Sequence, residues 1–236
     1  AWTRAFSAQN IKRFRTLARA RTEQLMDILA LKEEAVPLSH WISMWAIDVM
    51  GDMAFSGGFE TLAAGKDPEG WMDVAIPGQV PWMRDILALA PAPGPILTFQ
   101  KFAGKKVQET RHKSGELCND ILSIIQNDTE GGIKLTQLQA HADASFIILA
   151  GSDTVSEAMT ALIRYICADP DLQSQLREEI LAPYEVAEGT SEDAFELSKD
   201  RLPCLDACIQ EALRLVPPVA AGVFFSAYEA MFGYLN

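Results

Sequence analysis

Cysteine, histidine and positive charge are all scarce in this chain of 236 residues. Its four cysteines are scattered: Cys118 and Cys167 stand alone, and Cys204 and Cys208 lie one helical turn apart, too close together to staple distant segments. That pattern excludes a disulfide framework and favours a reducing, cytosol-facing environment. The three histidines, His40, His112 and His141, share no ligand spacing with the cysteines, whereas a zinc site needs several convergent ligands. No metal ligand is therefore assigned, and Cys208 reads as a small core residue. Lys and Arg number 20 against 32 Asp and Glu, a formal net charge of −12. Phosphate contacts rest on Lys and Arg, so no nucleic acid is expected as a partner. No run of about 18 apolar residues is free of charge, so no membrane span is expected within this chain. A secretory signal and an internal repeat are missing too.

What remains is a chain rich in apolar residues, 49% hydrophobic against 22% charged, enough to build a core. The periodicity is almost entirely helical. Gln9 to Lys32 is amphipathic, with Ile11, Phe14, Leu17, Ala18, Leu25, Met26 and Leu29 on the side expected to be buried. Leu38 to Phe55 follows, with Ser39 as its N-cap and Gly57-Gly58 as its stop. Helical segments are also expected from Pro68 towards Leu89, interrupted near Pro77-Gly78 and Pro81, and over Thr98 to Lys113, Glu116 to Gln126 and Pro170 to Leu181. Ala90 to Pro95 is a stiff proline-rich connector, and the acidic stretch from Glu185 to Asp200 reads as a solvated loop.

The most informative helix runs from Thr136 to Ala168. Thr136 with Gln139 three residues on forms a capping box, and Asp169-Pro170 ends the helix. At 1.5 Å per residue it is roughly 48 Å long, enough to cross a domain. It is apolar on most sides, as a central helix is. At its middle stands Ala150-Gly151-Ser152-Asp153-Thr154. A buried helical glycine costs roughly 1 kcal/mol against alanine, and an unpaired buried carboxylate costs more. Ile147, Ala150, Gly151, Thr154 and Ala158 fall on one face, and all but Ile147 are small, which admits a large flat neighbour. Gly151-Ser152 is a place for the helix to bend, and the Thr154 hydroxyl can bond the Ala150 carbonyl. On these residues alone, a helix crossing with a capped polar pair explains the pentapeptide better than chemistry does.

A second segment, Arg201 to Pro218, reads RLPCLDACIQEALRLVPP. It is an amphipathic helix with Leu205, Cys208, Ile209 and Ala212 on one face, ended at Val216 by Pro217. Glu211 and Arg214 are spaced to pair along it. The Ala-Gly-Ser-Asp-Thr helix followed by this Glu-x-x-Arg helix resembles the cytochrome P-450 superfamily of haem-thiolate monooxygenases. Trp2-Thr-Arg-Ala-Phe6 and the text from Val36 to Phe55 look like the middle of a fungal member. The resemblance runs over residues 1–218, and 219–236 read as a divergent tail. The family's cysteine-ligand loop, F-x-x-G-x-R-x-C-x-G, is not among these residues, and neither are its N-terminal parts.

From that resemblance follow the expectations. The fold is mainly α, the central part of the cytochrome P-450 architecture, with a long central helix surrounded by others. Asp153 and Thr154 would be catalytic, relaying protons and holding bound oxygen or water. Ala150, Gly151 and Thr154 would face the haem, a heme b iron cofactor held by a longer parent and not stably by this chain alone. Phe146 and Leu149, with Trp71 to Leu89, would line the substrate pocket, while Glu211 and Arg214 would be structural. The partners implied are a small apolar substrate, molecular oxygen and a reductase. The parent would sit on the endoplasmic-reticulum membrane facing the cytosol. The alternative is a truncated, non-catalytic helical binding protein.

Overall fold

An arginine set in an apolar stripe and an aspartate buried in the next helix organise the first part of the chain. The computed structural model describes residues 2–67, 101–105, 108, 120–126, 136–186 and 202–218, and all regular structure among them is helical. The chain divides into two compact units, residues 1–156 and 157–236.

In the first unit, α1 (Trp2–Ala5) leads into α2 (Ala8–Ala30). Ser7 caps α2, its Oγ accepting from the Asn10 amide. Phe14 and Leu25 are buried, but Ile11 and Met26 are exposed, which corrects the expected face. The inner stripe runs through Phe14, Ala18, Arg21, Leu25 and Ile28, at alternating spacings of four and three. Met26 lies a third of a turn off that stripe. Arg21 is therefore an inward residue, its side chain only 12% exposed.

Helix α3 (Leu38–Phe55) keeps the expected boundaries. Its N-cap is Pro37, whose carbonyl accepts from the His40 and Trp41 amides, so Ser39 is already inside the helix and caps nothing. At the other end Ser56 takes the left-handed conformation (φ 60°), and the Gly57 amide bonds back to the Gly51 carbonyl. That is a left-handed end in which the Ser56 amide bonds to the Asp52 carbonyl, with a serine where the glycines were expected to act. The Ser56 hydroxyl donates to Asp120 Oδ2, 64 residues on, and Asp120 Oδ1 in turn accepts from the Ser123 amide. Asp48, deep in α3, caps the short α4 (Thr61–Ala64): its oxygens accept from the Thr61 amide and hydroxyl and from the Leu62 amide at 2.8–3.0 Å.

Helix α5 spans Ile121–Gln126 and buries Ile121, Leu122 and Ile125 with Phe14, Ile47, Phe55, Ile147 and Ile148 in one cluster. Residues 101–105 are helical, as expected. Apart from residue 108, the rest of Thr98 to Lys113, the region from Pro68 to Leu89, the connector at Ala90 to Pro95 and most of the acidic stretch lie outside the described residues.

Among the described residues helix α6 (Gln137–Ala168) is the longest, 32 residues, and it opens on the expected capping box. The Gln139 amide donates to Thr136 Oγ1 at 3.2 Å while the Thr136 amide donates to Gln139 Oε1 at 2.9 Å. It is α-helical throughout, with no widened turn at Gly151. The stretch Phe146–Ala168 is long and apolar enough on average to cross a membrane, but it carries Asp153, Glu157 and Arg164. In the second unit, α7 (Pro170–Val186) is capped by Asp169, whose Oδ1 accepts from the Asp171 and Leu172 amides. It runs on through Pro183, past the expected end at Leu181. Helix α8 (Pro203–Leu215) follows and ends at Val216, as the prolines require.

Candidate functional site

Two sides of α6 differ sharply around its Ala-Gly-Ser-Asp-Thr segment. On one side Ile147 and Ile148 are buried, and Ser152 and Ser156 are buried hydroxyls. Those hydroxyls are satisfied within the helix: Ser152 Oγ donates to the Ile148 carbonyl at 2.7 Å and Ser156 Oγ to the Asp153 carbonyl at 3.0 Å. Gly151 belongs to this packed side. A Cβ built on it would lie 2.5 Å from Met50 Cε and 2.6 Å from Sδ, so the missing side chain makes room for α3.

The other side is exposed at its described positions. Phe146 is 64% exposed and Ala150 is exposed. Thr154 lies at the edge, its Oγ1 donating to the Ala150 carbonyl at 2.7 Å. The single face expected to hold Ile147, Ala150, Gly151, Thr154 and Ala158 is thus divided: Ile147 and Gly151 turn to the packed side, and Ala150 and Thr154 border the exposed one. Asp153 is half-buried, and burial alone pushes its carboxyl above the ordinary range. Asp143, three turns earlier, is pushed up for the same reason. The side chain of Leu149 and the whole of Trp71 to Leu89 lie outside what is described, so of the expected pocket residues only Phe146 is placed.

On α8, Glu211 and Arg214 form the expected pair. Arg214 Nε donates to Glu211 Oε2 at 2.7 Å and its Nη2 to Oε1 at 2.6 Å, a bidentate fork. Each group favours the other's charge, holding Glu211 below and Arg214 above their ordinary values. Both are exposed, at 53% and 67%, so the fork orients two side chains rather than stabilising the helix by much.

The sequence reading did not find Arg21. Its Nε and Nη2 fork onto Asp52 at 2.6 and 2.9 Å, and its Nη1 and Nη2 reach Glu60 at 2.9 and 2.7 Å, with Asp48 at 3.8 Å. Hydrogen bonds to Asp52 and Glu60 hold its guanidinium above its usual value. Burial pushes Asp48 up despite its amide partners. This cluster ties α2, α3 and the loop before α4 together.

The cysteines supply no ligand set. Cys167 is exposed, Cys204 and Cys208 are half-buried, and Cys118 lies outside the described residues. Burial first, then its neighbour Cys204, pushes the Cys208 thiol up and away from the thiolate form. Among the described residues no group of three or more metal-binding side chains converges.

With this geometry in hand, the comparisons with known proteins are specific. Residues 96–224, a little over half of the chain, match the family model described as cytochrome P-450. A cytochrome P-450 monooxygenase of Fusarium pseudograminearum is 29% identical over 94% of this chain and 42% of its own length. One of Eupenicillium brefeldianum is 26% identical over 94% and 46%. Tryprostatin B 6-hydroxylase of Aspergillus fumigatus is 27% identical over 92% and 40%. The chain spans less than half the length of each. Among solved structures, a crystal structure of a cytochrome P-450 superimposes with a TM-score of 0.72, at 19% identity, over 91% of this chain and 48% of that one.

Proposed function

This chain belongs to the cytochrome P-450 family, and we propose that it carries the central helical part of a haem-thiolate monooxygenase that inserts one atom of molecular oxygen into a small apolar substrate. The observation that carries this is the exposed side of α6, where Ala150 lies beside the Thr154 hydroxyl. A flat apolar group needs a face of small side chains of this kind, and Ala150 and Thr154 would fit it. The iron ligand is another matter: the described cysteines, Cys167, Cys204 and Cys208, lie on helices and not in the family's ligand loop, and burial pushes the Cys208 thiol away from its thiolate form. When bound, a thiolate-ligated haem iron supplies oxygen activation.

The chain's own residues then have separate duties. Ala150 leaves space. Thr154 Oγ1, donating to the Ala150 carbonyl, is an acceptor for one further donor on the exposed side. Asp153, its carboxyl raised by burial, holds a proton more readily than a surface aspartate and passes it along the helix edge. Gly151 acts one step removed, by seating the helix on Met50. Glu211 and Arg214 are structural, and a reductase would supply the electrons. Residues 1–218 form the family region and 219–236 a tail; the family match reaches residue 224.

The test extends this chain through the cysteine loop of a fungal relative and measures peroxide released against product formed. Thr154→Ala is expected to uncouple oxygen use from product while substrate binding stays nearly intact. Tight coupling in a folded, haem-loaded Thr154→Ala variant would overturn the assignment.

A further inference from the structure

Helix α8 begins with residues that cannot cap it. Leu202 occupies the N-cap position, with φ −129° and ψ 56°, and has no side-chain acceptor to offer. Pro203 at the first helical position has no amide, which leaves the amides of Cys204 and Leu205 as the donors in need of partners. Both partners come from α7. The Cys204 amide donates to Glu179 Oε1 at 2.8 Å and the Leu205 amide to Oε2 at 3.0 Å, across 25 and 26 residues of chain. One carboxylate thus performs the task that a serine or aspartate at position 202 would perform locally. Its negative charge also lies at the positive end of the α8 dipole.

We propose that Glu179 is a positioning residue: its carboxylate, carried on α7, caps α8 from outside and fixes where the helix bearing Glu211 and Arg214 begins. A helix started at a fixed point carries that register along its length, and Glu211 lies two turns beyond Cys204. What Glu211 and Arg214 brace rests on the reading above. The cap itself does not.

Amide exchange, followed by NMR on the 236-residue chain without haem, separates the two. Glu179→Ala is expected to speed exchange at Cys204 and Leu205 about tenfold. Glu179→Gln keeps one carbonyl acceptor and falls between this and the unaltered chain. Glu178→Gln, on the exposed neighbour, stays within twofold. Adding Leu202→Asp to Glu179→Ala returns slow exchange at Leu205, because a local cap replaces the distant one. Unchanged exchange in Glu179→Ala, or an equal effect of Glu178→Gln, would overturn the proposal. So would acceleration spread evenly through α7 and α8 with no recovery on adding Leu202→Asp. Failure to bind haem would defeat only the functional reading.

Discussion

Gly151 and Asp153 stand two residues apart and answer to different neighbours. A methyl on Gly151 meets the Met50 side chain at Cε, Sδ and Cγ at once, so shifting the chain end alone does not relieve it. Overpacking of that kind costs about 1–3 kcal/mol, set against a helix-propensity gain of about 1 kcal/mol from Gly to Ala. Gly151→Ala is thus expected to lower stability by about 1 kcal/mol in the unaltered chain and to be neutral or stabilising in a Met50→Ala background. Urea unfolding of the four chains measures the difference, and equal costs in both backgrounds would rule out the seating role. Asp153 calls for a sign argument. Burial raises its carboxyl in the folded chain, so the folded state binds the proton more tightly than the unfolded state. Stability contributed by the protonated group is therefore present at acid pH and is lost as pH rises from the ordinary carboxylate range through the raised value. Asp153→Asn lacks this titration. Its melting temperature relative to the unaltered chain should rise across that window and then level off. A gap independent of pH would show that the aspartate is not held in its acid form.

At the scale of elements, what the sequence made legible followed from local chemistry. The Thr136–Gln139 box, the proline stops and the α3 boundaries depend on residues within one turn of the event. The features it hid depend on partners far along the chain: Asp120 holding Ser56, Glu179 capping α8, Asp48 capping α4. Arg21 left a signal that was readable, since it interrupts a stripe of buried and half-buried residues at positions 14, 18, 25 and 28. An inward arginine implies inward acids, and Asp48 and Asp52 are one turn apart on the next helix. Because Arg21 forks onto Asp52 and Glu60 together, removing it leaves carboxylates facing one another in a half-buried setting. Breaking a buried pair in this way costs about 3–5 kcal/mol, and the lower end is appropriate because Glu60 is 55% exposed. Arg21→Met is expected to cost about 3 kcal/mol. Arg21→Lys recovers only part of that, because an ammonium cannot fork onto two carboxylates. Denaturant titration ranks the three, and a lysine variant as stable as the arginine would mean that geometry does not matter here.

For the whole molecule, the family is carried by two helices whose motifs lie some sixty residues apart, and the structure sets each in a recognisable state: one with an exposed side at Ala150 and Thr154, the other with a bidentate Glu211–Arg214 fork. The division of α6 into packed and exposed sides was not legible, because the small residues that favour a flat cofactor also favour a helix crossing. Only the position of Met50 separates the two uses. The same ensemble makes a prediction about the isolated chain. A thiolate ligand is a deprotonated cysteine that reaches the iron, and burial in apolar surroundings disfavours that form. Burial pushes Cys208 away from it, while Cys204 lies in the first turn of α8 and Cys167 near the end of α6, both on helices. None of the four cysteines stands in an F-x-x-G-x-R-x-C-x-G loop. With haem supplied and reduced under carbon monoxide, the 236-residue chain is expected to show no thiolate-type difference band, and a double Cys204→Ser, Cys208→Ser variant is expected to give the same spectrum. A thiolate band from the isolated chain, abolished by that double substitution, would show that α8 itself furnishes the ligand and would reverse the assignment of its cysteines.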